Sequence, residues 1–401
     1  MPAEPSTNQL GSFQRWLPGG LLAFGGVSLL SFADGGFFPT AWRAAAVGFF
    51  CATALALLLR GPVSMSRGQA LVPGALAALV AWTALSALWS PDPDASLLEP
   101  QRTLVYLALV LAAAAVAGSL LSGTLVAIGV VCAYALGHRL VEGPPDPPDP
   151  FEGTLLQEPL GYANGLGGLA AIGLAIAVAV LVFGPRLRLL HGLLACLFVV
   201  TLALTENRGG WLAALIGTAI AFVLGAGKLR LGRSLAAAAA LVLVLALSLP
   251  AGSLADDLAE RGGDRPWYWH VAWKEITEAP LVGKGAGAFY LAWLEHQPIP
   301  VAVLDAHSLY LELLAELGVV GIVLLGLALA PPVATALRGA NPAAAGGYFA
   351  FLVHAGLEWD WELPAVTVAG LLCGATLLVR ENASFGVESR LTSTTGKEGV
   401  P

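Results

Sequence analysis

Apolar runs of about 18 to 22 residues recur along nearly the whole chain, and nothing else in the sequence narrows the possible folds as far. Each run is long enough to cross about 30 Å of hydrocarbon as a helix, and a segment in hydrocarbon has to satisfy its backbone polar groups internally. The runs are continuous in Leu, Ala, Val and Gly, whereas a transmembrane barrel would be apolar at every second residue. The expected fold class is therefore all-α, a polytopic transmembrane helical bundle. Composition agrees, because 12% of the 401 residues are charged, against roughly 25% in a soluble domain. Spans are expected near 16–33, 42–60, 70–89, 103–119, 121–138, 163–184, 187–204, 209–226, 233–250, 308–336, 343–356 and 363–380, about twelve in all. Residues 1–380 then form a single transmembrane domain. The polar Ser-, Thr- and Gly-containing stretch 381–401 reads as a disordered cytoplasmic tail. No internal repeat of 20–50 residues is visible.

Orientation follows from the basic residues, which favour cytoplasmic loops. With the N-terminus inside, twelve of the twenty Lys and Arg residues are cytoplasmic. Four of the remaining eight sit in one long loop at 251–306, which leaves a short-loop comparison of twelve against four. Both termini are thus expected in the cytoplasm, and the first span is read as retained. Acidic residues show the opposite bias, with Asp92, Asp94, Asp146, Asp149, Glu358, Asp360 and Glu362 outside. The net charge of -7 gives no nucleic-acid footprint. Cys51, Cys132, Cys196 and Cys373 lie inside spans without paired or metal-ligand spacing and read as buried small hydrophobes.

Three external segments depart from short hairpin loops. The proline-rich 138–162 stretch cannot be helix interior and reads as a surface loop. Residues 251–306, between spans nine and ten, are rich in aromatics and should hold short helices, for example near 264–278. The third, Leu-Glu-Trp-Asp-Trp-Glu-Leu-Pro at 357–364, alternates acids with tryptophans.

Several residues in these segments have the chemistry of a site. Arg208 opens span eight behind Asn207, a good N-cap, so its guanidinium would sit beside a positive helix end suited to a diphosphate; snorkelling to water, or pairing with Glu206, is the alternative. Arg265 heads an amphipathic, aromatic stretch containing Trp269, and reads either as a headgroup contact or as a solvated loop charge. His307 can exchange protons near neutral pH, although a lone interfacial histidine is commonly structural. Asp305 is a candidate cap for the following helix, where helical spacing would put Tyr310, Leu311 and Leu314 on the His307 face. Glu312 and Glu316 lie at membrane depth and need a cavity or a cationic partner. Arg102 and Arg43 are secondary candidates for phosphate contact, although arginines at a membrane border are common. The Gly283-Lys284-Gly285-Ala286-Gly287 stretch lacks the phosphate-loop spacing and reads as tight turns. No metal-ligand spacing is present, so neither a metal nor another cofactor is expected.

Read together, Asn-Arg-Gly-Gly-Trp at 207–211, Arg265 followed by Trp269, Pro-Leu-Val-Gly-Lys-Gly-Ala-Gly-Ala-Phe at 280–289 and the His307-Ser-Leu-Tyr-Leu-Glu run to 321 resemble the O-antigen ligase and polymerase superfamily. The resemblance implies transfer of a glycan from an undecaprenyl-diphosphate-linked donor to a glycan, lipid or protein acceptor hydroxyl, with inversion, at the outer face of the bacterial cytoplasmic membrane. It implies diphosphate binding by Arg208 and Arg265, with His307 as base and Trp269, Tyr310, Glu312, Arg102 and Asp360 around the substrates. Asn207 and Ser308 depart from the commoner Ser and Asn of relatives. Polymerisation of lipid-linked glycan, transport of the same lipid and a non-catalytic scaffold are the competing readings.

Overall fold

The computed structural model describes residues 7–226 and 263–394, apart from 117, 185, 186 and 340. The expected span at 233–250, the start of the long loop and residues 395–401 lie outside the described residues. Within them the chain is all-helical, with α1 (Thr7–Ser31), α2 (Pro39–Arg60), α3 (Arg67–Ser86), α4 (Pro93–Val116), α5 (Leu120–Glu142), α6 (Ala163–Phe183), α7 (Arg188–Thr205) and α8 (Arg208–Gly225), then α9 (Arg265–Glu278), α10 (Phe289–His296), α11 (Leu309–Leu337), α12 (Pro342–Ala355) and α13 (Pro364–Thr394).

Eight of these, α2 to α8 and α11, are long and apolar enough to cross a membrane. Two further expected spans hold shorter apolar helices, Pro18–Ser31 within α1 and Pro364–Val379 within α13. The expected 343–356 span is α12, which has 14 residues. Helix α13 continues to Thr394, into the stretch read as a polar tail.

Helix α6 lies at the centre, buried along almost its whole length and packed on α7, α8 and α12. Its Gly- and Ala-rich sequence permits this, since helices packed in a membrane interior approach most closely over small residues. The same device joins α8 to α12, where a Cβ at Gly217 would collide with the Gly346 carbonyl. In α2 and α7 most of the apolar surface faces outward instead, with Leu58, Leu59 and Leu189 strongly exposed. That outward face explains a correction: Cys132 and Cys373 are buried as expected, but Cys51 of α2 and Cys196 of α7 are exposed.

Polar contacts mark two ends of the bundle. At one end the Arg60 guanidinium donates to Val116 O (2.9 Å) and the Gln69 amide to Leu378 O (2.8 Å). At the other, Ser96 Oγ donates to Ala286 O (2.6 Å), Tyr290 OH to Asp92 (2.6 Å) and Leu156 N to Leu204 O (3.0 Å). Every segment singled out as external, described in part or in full, meets its neighbours at this second end.

Candidate functional site

The site end is shaped by a break in α11. Gly318 has φ 65° and ψ −165° and interrupts the helix at Leu317, a conformation open essentially to glycine alone. Backbone groups freed by such a break need partners. The Gly-rich loop after α9 supplies them: Lys284 N donates to Ala315 O (3.0 Å), Gly285 N to Glu316 O (2.8 Å), and Val319 N to Pro280 O (2.9 Å). The Trp82 indole N–H takes Leu317 O (3.0 Å). Gly283, Gly285 and Gly287 all have positive φ, and a Cβ on the first would enter the Glu316 backbone. The glycine run is thus a docking loop built of tight turns. It also resolves Glu316, whose carboxylate accepts from Gly287 N (2.8 Å) and Phe289 N (3.0 Å) at the start of α10.

His307 lies outside the helix. Helix α11 begins at Leu309 with Ser308 as its N-cap, and His307 itself has a left-handed φ of 51°. The face expected to join it to Tyr310 therefore does not form, and the Tyr310 hydroxyl turns instead to Leu352 O (2.8 Å). Asp305 does not cap the helix either. Its carbonyl accepts from His307 Nδ1 (3.1 Å), and because a carbonyl can only accept, Nδ1 carries the proton and Nε2 presents its lone pair. The imidazole stands 5.0 Å from the Tyr268 ring and 6.3 Å from that of Trp359. Burial chiefly, with the positive charge of Arg265 adding to it, lowers its pKa to about 4 against the pull of the Asp305 carbonyl.

Arg265 opens α9 and is held by the turn after α12. Its Nε donates to Leu357 O (3.1 Å), and its guanidinium pairs with the fully buried Glu358. Glu358 also accepts from Tyr162 OH (2.7 Å), and Trp359 packs on the Tyr162 ring at 4.7 Å. Trp269, on the next turn of α9, is half-buried against a second cluster of apolar side chains that includes Tyr268 and Trp293.

Arg208 is exposed at the first position of α8. Asn207 behind it is the N-cap, accepting from Gly210 N at 2.8 Å. Its amide N–H groups run into the bundle, one to Asn164 O (2.7 Å) and one to His354 Nε2 (2.9 Å). His354 Nδ1 in turn meets both Asp360 carboxylate oxygens at 2.8 and 2.9 Å. A Cβ at Gly209 would touch Leu357, so the start of α8 leans on the residue whose carbonyl holds Arg265.

Arg102 and Glu312 belong to a separate acidic cluster below. The Arg102 guanidinium lies 2.8 Å from Glu99 and 3.3 Å from Glu362. Oxygens of Asp305, Glu312 and Glu362 lie within 4.8 Å of one another, the arrangement among the described residues that could hold a cation. These positions are too far apart in sequence for spacing to reveal them. Arg102 and the Ala306 N–H, 2.7 Å from Glu312, already bring positive partners to the same place. Burial and the neighbouring acids push the Asp305 carboxyl up to about 7, with Arg102 opposing, and hold Glu362 well above the usual carboxylate range. A cavity of about 20 Å³ beside Glu99, Glu312, Glu316 and Glu362 has room for about one water.

The structure thus gathers the start of α8, Arg265 and His307 around one turn, residues 354–360. Arg102, Glu312 and Tyr310 have polar partners within the protein, and Asp360 is fully buried. Sequence reasoning passed over His354. The signal was present, since an ionisable residue inside an apolar span calls for a partner and a purpose. Comparison with curated proteins finds no match. Residues 193–326, about a third of the chain, match the family described as O-antigen ligase, covering Arg208, Arg265 and His307. The motif resemblance and this match agree on the O-antigen ligase family over residues 193–326.

Proposed function

We propose that this protein transfers a glycan from an undecaprenyl-diphosphate-linked donor to an acceptor hydroxyl at the outer face of the cytoplasmic membrane, with both termini inside. One observation carries the reading: the 354–360 turn draws together a solvent-facing arginine at a helix N-terminus, a second arginine and a histidine with its Nε2 lone pair available. Arg208, with the first amides of α8, and Arg265 hold the diphosphate. The acceptor oxygen attacks the anomeric carbon from the opposite side. As the new glycosidic bond forms, the carbon–oxygen bond to the diphosphate breaks with inversion, and the electron pair leaves on the lipid diphosphate. The acceptor proton passes to His307 Nε2. A diphosphate leaving group needs charge stabilisation more than protonation, which two guanidinium groups provide in a metal-independent reaction.

The test uses Arg208→Ala, Arg265→Ala and His307→Ala proteins that accumulate in membranes at the parental level. Transfer from lipid-diphosphate-linked glycan is expected to fall by about a hundredfold or more for each. Parental rates in the Arg208 and His307 variants would remove the reading. Glycan analysis after gene deletion then separates ligase from polymerase, because loss of a ligase strands full-length lipid-linked polymer and loss of a polymerase leaves single units.

A further inference from the structure

Beneath the proposed site, three buried side chains form a closed chain of hydrogen bonds. Asn207, His354 and Asp360 are 2%, 0% and 0% exposed. The directions of their bonds are determined by elimination. Gly210 N can only donate, so the group it meets at 2.8 Å is the Asn207 oxygen, and the Asn207 amide nitrogen therefore faces His354 Nε2. That nitrogen must accept, which puts the imidazole proton on Nδ1, where it donates to Asp360. With its second N–H on Asn164 O, the Asn207 amide has both protons bonded and its oxygen engaged. A serine or threonine could cap α8 equally well but could not reproduce both donations.

Room has been made for this chain. A Cβ at Gly167 would stand 2.6 Å from Asn207 Nδ2, and one at Gly168 would stand 2.6 Å from His354 Cε1. Asp360 is held from behind, its carbonyl accepting from Thr367 Oγ1 at 2.6 Å. The chain ties three segments together: the start of α8, the end of α12 and the turn that follows α12. Between His354 and Asp360 lie Leu357 and Glu358, the two residues that hold Arg265.

We infer that Asp360, His354 and Asn207 are positioning residues that register the α8 N-terminus, and with it Arg208, against the turn that carries Arg265, so that both guanidinium groups meet one diphosphate. This rests on the transferase reading above. Buried polar chains of this kind act as registry devices when every member is satisfied, as here. A misplacement of the order of 1 Å at such a site costs about a hundredfold in rate.

The test separates capping from registration. Asn207→Asp keeps the acceptor for Gly210 N and is close to isosteric, but it cannot donate to His354 or Asn164. Asn207→Ala loses both functions. In the full-length protein in nanodiscs, with extracted lipid-diphosphate-linked glycan as donor, Asn207→Asp is expected to lower kcat/KM for the donor about a hundredfold. The donor KM should rise and the acceptor KM stay unchanged; a partly unfolded preparation would shift neither constant. Asp360→Asn, also isosteric, should move the donor KM in the same direction. Parental donor kinetics in Asn207→Asp, whether or not Asn207→Ala is impaired, would overturn the proposal, leaving Asn207 at most a helix cap. Should Arg208→Ala itself transfer at the parental rate, the transferase reading fails separately. Hydrogen exchange over residues 208–213 then decides on registration. Faster exchange in Asn207→Asp supports it, and unchanged exchange rejects it.

Discussion

His307 shows how much of a residue's chemistry is set by its immediate contacts. The Asp305 carbonyl holds the proton on Nδ1 and leaves Nε2 as the accepting nitrogen, while burial and Arg265 disfavour the imidazolium. The sign of the pH dependence follows directly. A histidine lowered from 6.5 to about 4 is in its base form above that value and loses it as the pH falls through about 4. The acid limb of kcat/KM for transfer is therefore expected near pH 4, with the rate level as the pH falls from 7 through 6.5. A limb centred near 6.5 would show that the nitrogen measured is not in this environment. The base role of His307 was an expectation of family resemblance. Its tautomer was legible only in the structure, because the partner carbonyl lies two residues back along a chain whose direction no sequence pattern specifies.

Among the elements, the broken helix α11 organises the most. An uninterrupted helix would close Ala315 O, Glu316 O and Leu317 O onto its own next turn; the break hands them to Lys284, Gly285 and Trp82. This places α9 and α10, and so Arg265, relative to His307. Gly318→Ala is expected to destabilise the protein by at least about 2 kcal/mol, since alanine disfavours this φ and ψ and its Cβ would enter the Leu281 carbonyl. Gly326→Ala, on the same helix with nothing within 4 Å of the added carbon, serves as the control. The measurement is thermal unfolding of the purified protein in detergent. An unchanged midpoint for Gly318→Ala, matching that of Gly326→Ala, would mean that the break is not imposed by the loop. The glycine run was legible as turns from its spacing. That it docks on a helix break was not, because the partner is another glycine 31 to 35 residues further on.

At the scale of the molecule, the two ends of the bundle carry different chemistry. The proposed topology puts the 354–360 turn, α9 and α10 outside and the α2–α3 loop inside. In a protein whose four native cysteines are replaced, Glu295→Cys should react with a membrane-impermeant maleimide in intact spheroplasts, and Ser64→Cys only after lysis; both positions are exposed. The reverse pattern would invert the topology. The sequence by itself determined the helical class, most of the span positions and the three arginine and histidine candidates. Each of these is a local property: apolar length decides whether a segment crosses a membrane, and capping residues mark where a helix begins. Only the tertiary structure decided which polar side chains are joined. The Asp305, Glu312 and Glu362 cluster and the Asp360–His354–Asn207 chain bring together residues up to 153 positions apart. The physical reason is that a buried polar group must find partners wherever packing places them, and packing answers to the whole set of helices at once.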